Sequence, residues 1–129
     1  MEEINDSIKK VSEPNISRWS SLVAECKQKY SYYAELSIFI RNLTKALKIK
    51  EGEFLKEASE ALDEEGKKCY SNAELREAYV RKKLFELSTY NERSDKEEEL
   101  IRVESDIKGL EIEADLLGRF MSVIAAGRA

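Results

Sequence analysis

The chain has 129 residues, 37% of them charged, with a formal net charge of −4 at pH 7, one proline and five glycines. This composition is typical of long helices with solvated outer faces rather than of turn-rich sheets, so we expect an all-α fold in one domain. The acidic balance excludes a globally basic, non-specific nucleic-acid binder, although it leaves room for a local basic patch.

Histidine is absent from the sequence, which removes the commonest general base near neutral pH and the commonest metal ligand. No nucleophile motif is recognisable, so we expect a protein that is not an enzyme and holds no cofactor or metal. Carboxylates cluster at residues 97–99 and 111–115, where a pair of catalytic acids or a metal site would be the functional interpretation. Without histidine or a ligand loop, we expect these clusters to be solvated helix faces.

The two cysteines, Cys26 and Cys69, have no CxxC spacing, and we expect both to be buried as small hydrophobes. No segment resembles a signal peptide, and no apolar run approaches the roughly 18 residues of a membrane span. We therefore expect a reduced, cytoplasmic protein that does not enter a membrane. If the chain is encoded by a phage, that compartment is the host cytoplasm.

Residues 1–14 carry a weak amphipathic pattern at Ile4, Ile8 and Val11. The pattern predicts a short N-terminal helix that ends before Pro14, because proline disfavours helix at the residue ahead of it. We treat this segment as separate from the rest of the chain. It should pack loosely or bind a neighbouring subunit.

Apolar residues then recur every seven positions from Trp19 to Ala61, and leucines supply a second row of the same stripe. A sevenfold repeat predicts coiled-coil packing against another helix. Gly52 is the weak point, since glycine in a helix costs about 1 kcal/mol relative to alanine. We expect either one continuous helix over residues 17–64 or two helices that meet near residue 51.

Acidic residues and Gly66 end this helix, since acids are unfavourable at the negative end of the helix dipole and glycine suits a C-terminal cap. We place the turn at residues 66–72. Residues 71–74 form a capping box with Ser71 or Asn72 as the N-cap of the next helix. A second possible box at residues 94–97 predicts a break or phase shift near residues 91–95.

The last segment has the most regular pattern in the chain. Its apolar residues alternate in steps of three and four, which predicts a helix with a partner lying along it. This seam consists of Leu100, Val103, Ile107, Leu110, Ala114, Leu117, Met121 and Ile124.

Charge blocks indicate how the helices pair. Residues 27–50 and 67–83 are mainly basic, whereas residues 51–65 and 95–115 are mainly acidic. A hairpin that closes near residue 68 places each basic block beside an acidic one, while wrong registers bring like charges together. We therefore predict that residues 15–129 form a long antiparallel helical hairpin with coiled-coil packing.

Such a hairpin leaves the far end of the seam opposite residues 12–19, where the first helix has barely begun. We expect the apolar side chains at this end to bury themselves against the N-terminal segment or another subunit, which predicts a homo-oligomer. The candidate interface residues are Leu117, Phe120, Met121 and Ile124.

The basic blocks are candidates for binding single-stranded nucleic acid, with cations on phosphates and rings against bases. The alternative is that the cations are only solvated and that the rings of Tyr79 and Phe85 belong to the core. Tyr32 is a further candidate for an exposed ring, in an oligomer interface or stacked on a base. The candidate contact residues are Arg41, Lys45, Lys48, Lys50, Lys67, Lys68, Tyr70, Arg76, Arg81, Lys82 and Lys83.

Two segments carry a family resemblance. Residues 70–79 (YSNAELREAY), after a basic turn, and residues 101–107 (IRVESDI), followed by the seam and a final Gly127-Arg128, resemble the small helical recombination mediators of phages, the UvsY-like family. The resemblance covers residues 25–128. Members of that family are homo-oligomeric helical proteins that bind single-stranded DNA, help to remove the single-strand-binding protein and load the strand-exchange recombinase. The resemblance implies the same partners here.

Two functions therefore stand as hypotheses. The first is a non-enzymatic recombination mediator that binds single-stranded DNA electrostatically, assembles through its C-terminal seam and assists recombinase loading. The second is a coiled-coil protein-interaction module, such as a phage-encoded adaptor or inhibitor, whose charge blocks serve pairing alone and which binds no nucleic acid.

Overall fold

The computed structural model describes the backbone of residues 2–127 and the side chains of residues 13–127. The expected all-α class is confirmed, and the contacts between the first and last helices fit a hairpin. Among the described residues, no helix combines the length and apolar character needed to cross a bilayer. The described part has three helices, α1 (Glu2–Glu60), α2 (Ala73–Phe85) and α3 (Ser88–Ala126).

The chain divides into two compact units, and α1 and α3 contribute to both. Unit 1 comprises residues 1–35 and 101–129, and unit 2 comprises residues 36–100. Each unit has its own buried apolar side chains. In unit 1 these are Leu22, Val103 and Ile107, and in unit 2 they are Leu36, Leu47, Ala58 and Val80.

In unit 1 the seam of α3 packs on α1. Val103 and Ile107 are buried, and the other seam positions of this unit are half-buried, so the three-and-four spacing identified the packed face correctly. Gly118 lies closest to Trp19, since a Cβ built at Gly118 would lie 3.9 Å from the indole nitrogen of Trp19. A Cβ at that distance would make an ordinary van der Waals contact, so the tryptophan ring packs beside α3 at this position.

Polar contacts in unit 1 follow the predicted antiparallel register. Lys29 Nζ lies 3.6 Å from an Asp106 carboxylate oxygen. The midpoint of these two residues in the sequence falls between residues 67 and 68, where the hairpin was expected to close. Arg18 donates to Glu113 at 2.9 Å further along the same pair of helices. Both contacts join α1 to α3.

The predicted helix break before Pro14 is wrong, because α1 runs from Glu2 through Pro14 to Glu60. Proline removes one amide donor and crowds the carbonyl four residues earlier, but its fixed φ is itself helical. A long helix on both sides can absorb that cost of about 3 kcal/mol. The side chains of residues 1–12, including the amphipathic pattern seen in the sequence, lie outside the described part.

Gly52 does not interrupt α1, which confirms the continuous-helix alternative over residues 17–60. The helix ends at Glu60 rather than residue 64, because the following residues form a tight turn instead. The Asp63 carboxylate accepts the amides of Glu65 and Lys67, each at 2.9 Å. Gly66 adopts φ +81°, a conformation that favours glycine.

The sequence left two candidates for the N-cap of the second helix, Ser71 and Asn72. Asn72 is the N-cap of α2, and its side chain accepts the amide of Leu75 at 2.9 Å. The predicted capping box at residues 71–74 therefore gives the correct N-cap in one of its two alternatives. Glu74, its expected reciprocal partner, lies in the first turn of α2 as an acid facing the positive end of the dipole.

The break expected near residues 91–95 is also misplaced. The helix axis is interrupted at residues 86–87, and α3 runs uninterrupted from Ser88 through the second predicted capping box. Local ion pairs support this polar stretch, with Lys96 Nζ lying 3.3 Å from Glu99. Such pairs three or four residues apart stabilise a helix that has few apolar contacts.

The cysteines differ from expectation. Cys26 is half-buried, while Cys69 is exposed in the turn after α1. Burial, with a smaller contribution from the nearby Glu111 and Glu25 carboxylates, raises the pKa of the Cys26 thiol. Cys69 lies on the exposed turn, where its backbone amide donates to the Ala61 carbonyl at 3.0 Å.

Candidate nucleic-acid interface

All eleven predicted nucleic-acid contact residues lie in unit 2, but they do not form one surface. Some share a face of α1, some surround the turn, and some lie on α2. Their different partners decide which of them remain available to a ligand.

Four cations follow one face of α1. Arg41, Lys45 and Lys48 are spaced by four and three residues, which places them on one side of the helix. Lys56, which was not among the predicted contacts, continues that face two turns later. We call these four residues the basic stripe. All four are exposed, and the stripe spans about 22 Å at 1.5 Å per residue.

The basic stripe contains no carboxylate. Between residues 41 and 56 the only acids are Glu51 and Glu53, and they flank the stripe on opposite sides, each about 60° around the helix from the nearest cation. Lys50 lies on the opposite side of the helix and pairs with Glu53 at 3.1 Å. No cation of the stripe forms an ion pair with a described residue.

Arg81 belongs to α2 and lies beside the face of α1 that carries the basic stripe. A groove of about 630 Å³ runs between the two helices, and Arg81 lines it together with Leu55 and Ser59 of α1. Glu51 and Glu77 also line this groove, so its charge is mixed. Arg81 itself is exposed and lies where it can add to the positive edge of the groove.

The predicted contacts nearest the turn form an internal cluster. The rings of Tyr70 and Tyr79 lie 4.7 Å apart, and Lys83 Nζ lies 5.7 Å from the centre of the Tyr79 ring. Arg76 donates to the Tyr70 carbonyl at 3.2 Å. The Tyr79 hydroxyl donates to Glu57 at 3.0 Å, and this hydrogen bond, followed by burial, raises the pKa of Tyr79. These side chains hold α2 and the turn on α1.

The remaining predicted cations are peripheral. Lys67 pairs with Glu65 at 3.7 Å, and the backbone of Lys68 bridges to Leu62. Lys82 is exposed on α2, near the exposed ring of Phe85 on the same face by helical spacing. The centre of the Phe85 ring lies 4.7 Å from that of the Tyr90 ring. Phe85 is nevertheless exposed, so of the two rings expected in the core only Tyr79 is half-buried.

The predicted oligomer residues lie on two different faces of α3 in unit 1. Leu117, Met121 and Ile124 are half-buried on the seam, and Met121 lines a cavity with Ile16 and Trp19 of α1. These three side chains are therefore at least partly covered by their own chain. Phe120 lies off the seam and is exposed.

Tyr32 is exposed, as expected for a ring off the heptad row. The acidic clusters hold no metal geometry, since no three cysteine or carboxylate side chains among residues 13–127 gather as metal ligands would. Comparisons with protein-family models, with curated proteins and with solved structures find no match. Any assignment therefore depends on the chain's own geometry and on the two resembling segments.

Sequence reasoning missed Lys56 because it counted charge in linear blocks. Lys56 falls in the acidic block of residues 51–65, and its cation was cancelled against the acids beside it. The helical spacing from Lys48 to Lys56 was available in the sequence. Grouping the charges by their position around the helix, rather than summing them over a linear segment, separates the basic stripe from the acids that flank it.

Proposed function

We propose that the chain binds single-stranded DNA through the basic stripe of α1, with Arg81 as an additional contact. As the family resemblance implies, it would act as a non-enzymatic recombination mediator that assists recombinase loading. The binding part of the proposal depends on unit 2, and the loading part depends on the two resembling segments.

The observation that supports binding is that none of these cations forms an ion pair with a residue of the part of the chain that the structure describes. If the basic blocks served pairing alone, the cations of unit 2 would face acids across the hairpin. Instead the ion pairs of unit 2 that involve lysine or arginine are local ones, between residues two to four apart in sequence. The charge of the stripe is left for solvent or for a polyanion.

The composition of the stripe predicts the mode of binding. Its four residues are all cations, and the exposed side chains of Ile38 and Ile49 lie beside it by helical spacing, but it contains no aromatic ring on which bases could stack. Tyr70, the ring predicted to do so, is engaged by Tyr79. Binding should therefore be led by phosphate contacts, insensitive to base sequence and strongly dependent on salt.

Salt dependence gives the first measurement. With about five phosphate contacts, the slope of log K against log salt on a single strand is about −3.5, which lowers the affinity about a hundredfold between 50 and 200 mM salt. Fluorescence anisotropy of a labelled oligothymidine measures both numbers. Absence of binding at low salt, or binding that ignores salt, would contradict the proposal.

A matched pair of variants locates the site. Lys45→Gln/Lys48→Gln removes two charges from the stripe, and we expect about tenfold weaker binding at low salt and a slope reduced by about 1.4. Lys50→Gln/Lys67→Gln removes two charges that are already paired, and we expect a change of less than about twofold. Circular dichroism checks that helicity is unchanged. Equal losses in both variants would show that the stripe is not the site.

Recombinase loading is tested separately. The chain should raise the DNA-dependent ATPase activity of a phage recombinase on DNA coated with single-strand-binding protein, and Lys45→Gln/Lys48→Gln should abolish the gain. If the wild-type chain binds DNA but does not raise the ATPase activity, the binding part of the proposal stands and the mediator part is contradicted.

The alternative is a coiled-coil protein-interaction module that binds no nucleic acid. Ile38 and Ile49 favour it, because both are exposed beside the stripe and could contact a partner helix. A wild-type chain that fails to bind the oligothymidine at low salt would leave this alternative in place.

A further inference from the structure

α3 carries a second apolar face in unit 1, on the side opposite its seam. Helical spacing places five apolar side chains within about a quarter to a third of the helix circumference. We call this face the outer stripe. It consists of Ile101, Ile112, Leu116, Phe120 and Val123, which are 67%, 62%, 59%, 49% and 70% exposed.

We propose that the outer stripe binds a second copy of the chain, so that two α3 helices pack antiparallel around a twofold axis. The inference does not depend on DNA binding, because the outer stripe and the basic stripe lie in different units. It differs from the interface expected from the sequence, three of whose four residues face α1.

The flank of the outer stripe carries two ion pairs with the same polarity. Lys108 Nζ lies 3.7 Å from Glu104, and Arg119 lies 3.1 Å from Asp115. In both pairs the acid precedes the base by one helical turn. Helical spacing places all four side chains on one edge of the stripe, in the order acid, base, acid, base.

That order is complementary to itself when the helix is reversed. Antiparallel packing centred between residues 111 and 112 keeps the two charged edges on the same side of the pair. It places Lys108 opposite Asp115 of the second copy and Arg119 opposite Glu104 of the second copy. Each intrahelical ion pair thereby becomes part of a longer network with four contacts between the chains. A parallel pair related by a twofold axis would place the two charged edges on opposite sides of the interface, where they could not pair with each other.

The apolar residues select nearly the same register. With the axis at residue 112, half a residue or about 0.75 Å from the position that the charged edge favours, Val123 lies opposite Ile101 of the second copy, and Ile112 packs against its own symmetry mate. Leu116 falls between Ile112 and the aliphatic stem of Lys108 of the second copy. One alignment therefore satisfies both the apolar stripe and the charged edge.

The area indicates a reversible association. Five side chains with about 80–100 Å² of apolar surface each would bury roughly 800–1,000 Å² over both copies. Stable interfaces usually bury about 1,200–2,000 Å², and smaller ones are weak or transient. A dimer with a micromolar dissociation constant is therefore expected.

Sedimentation equilibrium of the full chain tests the association. The wild-type chain should convert from monomer to dimer over the micromolar range, and Ile112→Asp should weaken the dimer at least about a hundredfold because it places two carboxylates at the axis. Ile38→Asp, an exposed isoleucine in unit 2, is the matched control and should leave the dimer unchanged. A monomeric wild type, or an assembly that Ile112→Asp leaves intact, would overturn the proposal.

Charge reversal tests the charged edge. Lys108→Glu should weaken the dimer about tenfold, since two symmetry-related contacts become repulsive. Lys108→Glu/Asp115→Lys should restore most of the affinity, although it leaves both helices with like-charged neighbours one turn apart. A merely structural role for these residues within one helix predicts a further loss in the double variant, and that result would overturn the charged-edge contact.

Cross-linking tests the direction of packing. In a Cys26→Ala/Cys69→Ser background, Ile112→Cys should form a disulfide-linked dimer under mild oxidation, because the two positions meet at the axis. Val123→Cys should not link to itself but should link to an Ile101→Cys chain mixed with it. Efficient self-linking at both positions would indicate parallel helices and overturn the antiparallel arrangement.

Discussion

The two units use the same helices but place charge differently. In unit 1 ion pairs cross between α1 and α3 beside the apolar seam, since Arg18 and Lys29 each pair with an acid of α3. In unit 2 the described ion pairs are local, and α1 contacts α2 through the Tyr79 hydroxyl and the aromatic cluster. Among the described residues, no acid forms an ion pair with the basic stripe.

This difference separates two uses of one sequence pattern. Opposed charge blocks can fix an antiparallel register, as the contacts of unit 1 indicate, and the same blocks can leave cations at the surface when the acids project elsewhere. A surface ion pair contributes only about 0–1 kcal/mol, so unit 2 loses little stability by leaving its stripe unpaired. The proposed DNA-binding surface therefore lies in unit 2, and the proposed assembly surface lies in unit 1.

The largest expected effect comes from the core of unit 1. Leu22 is fully buried, so Leu22→Ala should lower the free energy of unfolding by about 3 kcal/mol through lost burial and a residual cavity. Urea unfolding followed by circular dichroism measures the change. If the two units have separate roles, the variant should still bind the oligothymidine at temperatures where it remains folded.

Ile16→Ala is the control for this variant, because Ile16 is an exposed apolar residue on the same helix. It should cost less than about 1 kcal/mol. Equal losses for Ile16→Ala and Leu22→Ala would contradict the packing of unit 1. A parallel loss of DNA affinity in folded Leu22→Ala would break the division between the units.

The sequence predicted the packed faces well because burial repeats with the helix period. The seam from Leu100 to Ile124 faces α1, and the closing point near residue 68 agrees with the contact of Lys29 and Asp106. Helix ends were less accurate. A proline or a capping box changes a local free energy by a few kcal/mol at most, which tertiary packing of a long helix can exceed.

The candidate sites were less predictable than the fold for the same reason. Which basic residues pair internally depends on side-chain direction, and counting charge in windows hides it at Lys56. The outer stripe of α3 was also visible in the spacing from Ile112 to Val123. It was overlooked because the seam on the opposite face accounts for the helix without it.

A smaller effect concerns the ion pairs that distinguish unit 1. Arg18 and Glu113 are each about half exposed, so their coupling should be roughly 0.5 kcal/mol or less and should vanish at high salt. A double-mutant cycle with Arg18→Gln and Glu113→Gln measures it by urea unfolding. The local pair of Lys50 and Glu53 in unit 2 provides the comparison. A larger coupling there would contradict the view that cross-helix charge fixes the register of unit 1.

The smallest effect tests what the units share. In both units a tyrosine hydroxyl donates to a carboxylate on another helix, Tyr30 to Glu111 in unit 1 and Tyr79 to Glu57 in unit 2. This hydrogen bond is the main cause that raises the pKa of both tyrosines. The neutral phenol is favoured in the folded chain, so the contribution is complete below about pH 10, the usual tyrosine value. It is lost as the pH rises through the raised pKa.

Removing either hydroxyl should therefore flatten the alkaline end of the stability profile. Tyr30→Phe and Tyr79→Phe should each be slightly less stable than wild type at neutral pH and should lose less stability than wild type above about pH 10. Glu57→Gln should lower the pKa of Tyr79 toward its usual range, as read from phenolate absorbance, while leaving Tyr30 unchanged. Because Tyr30 and Tyr79 lie in different units, a shift of Tyr30 in Glu57→Gln would mean that the two units do not titrate independently.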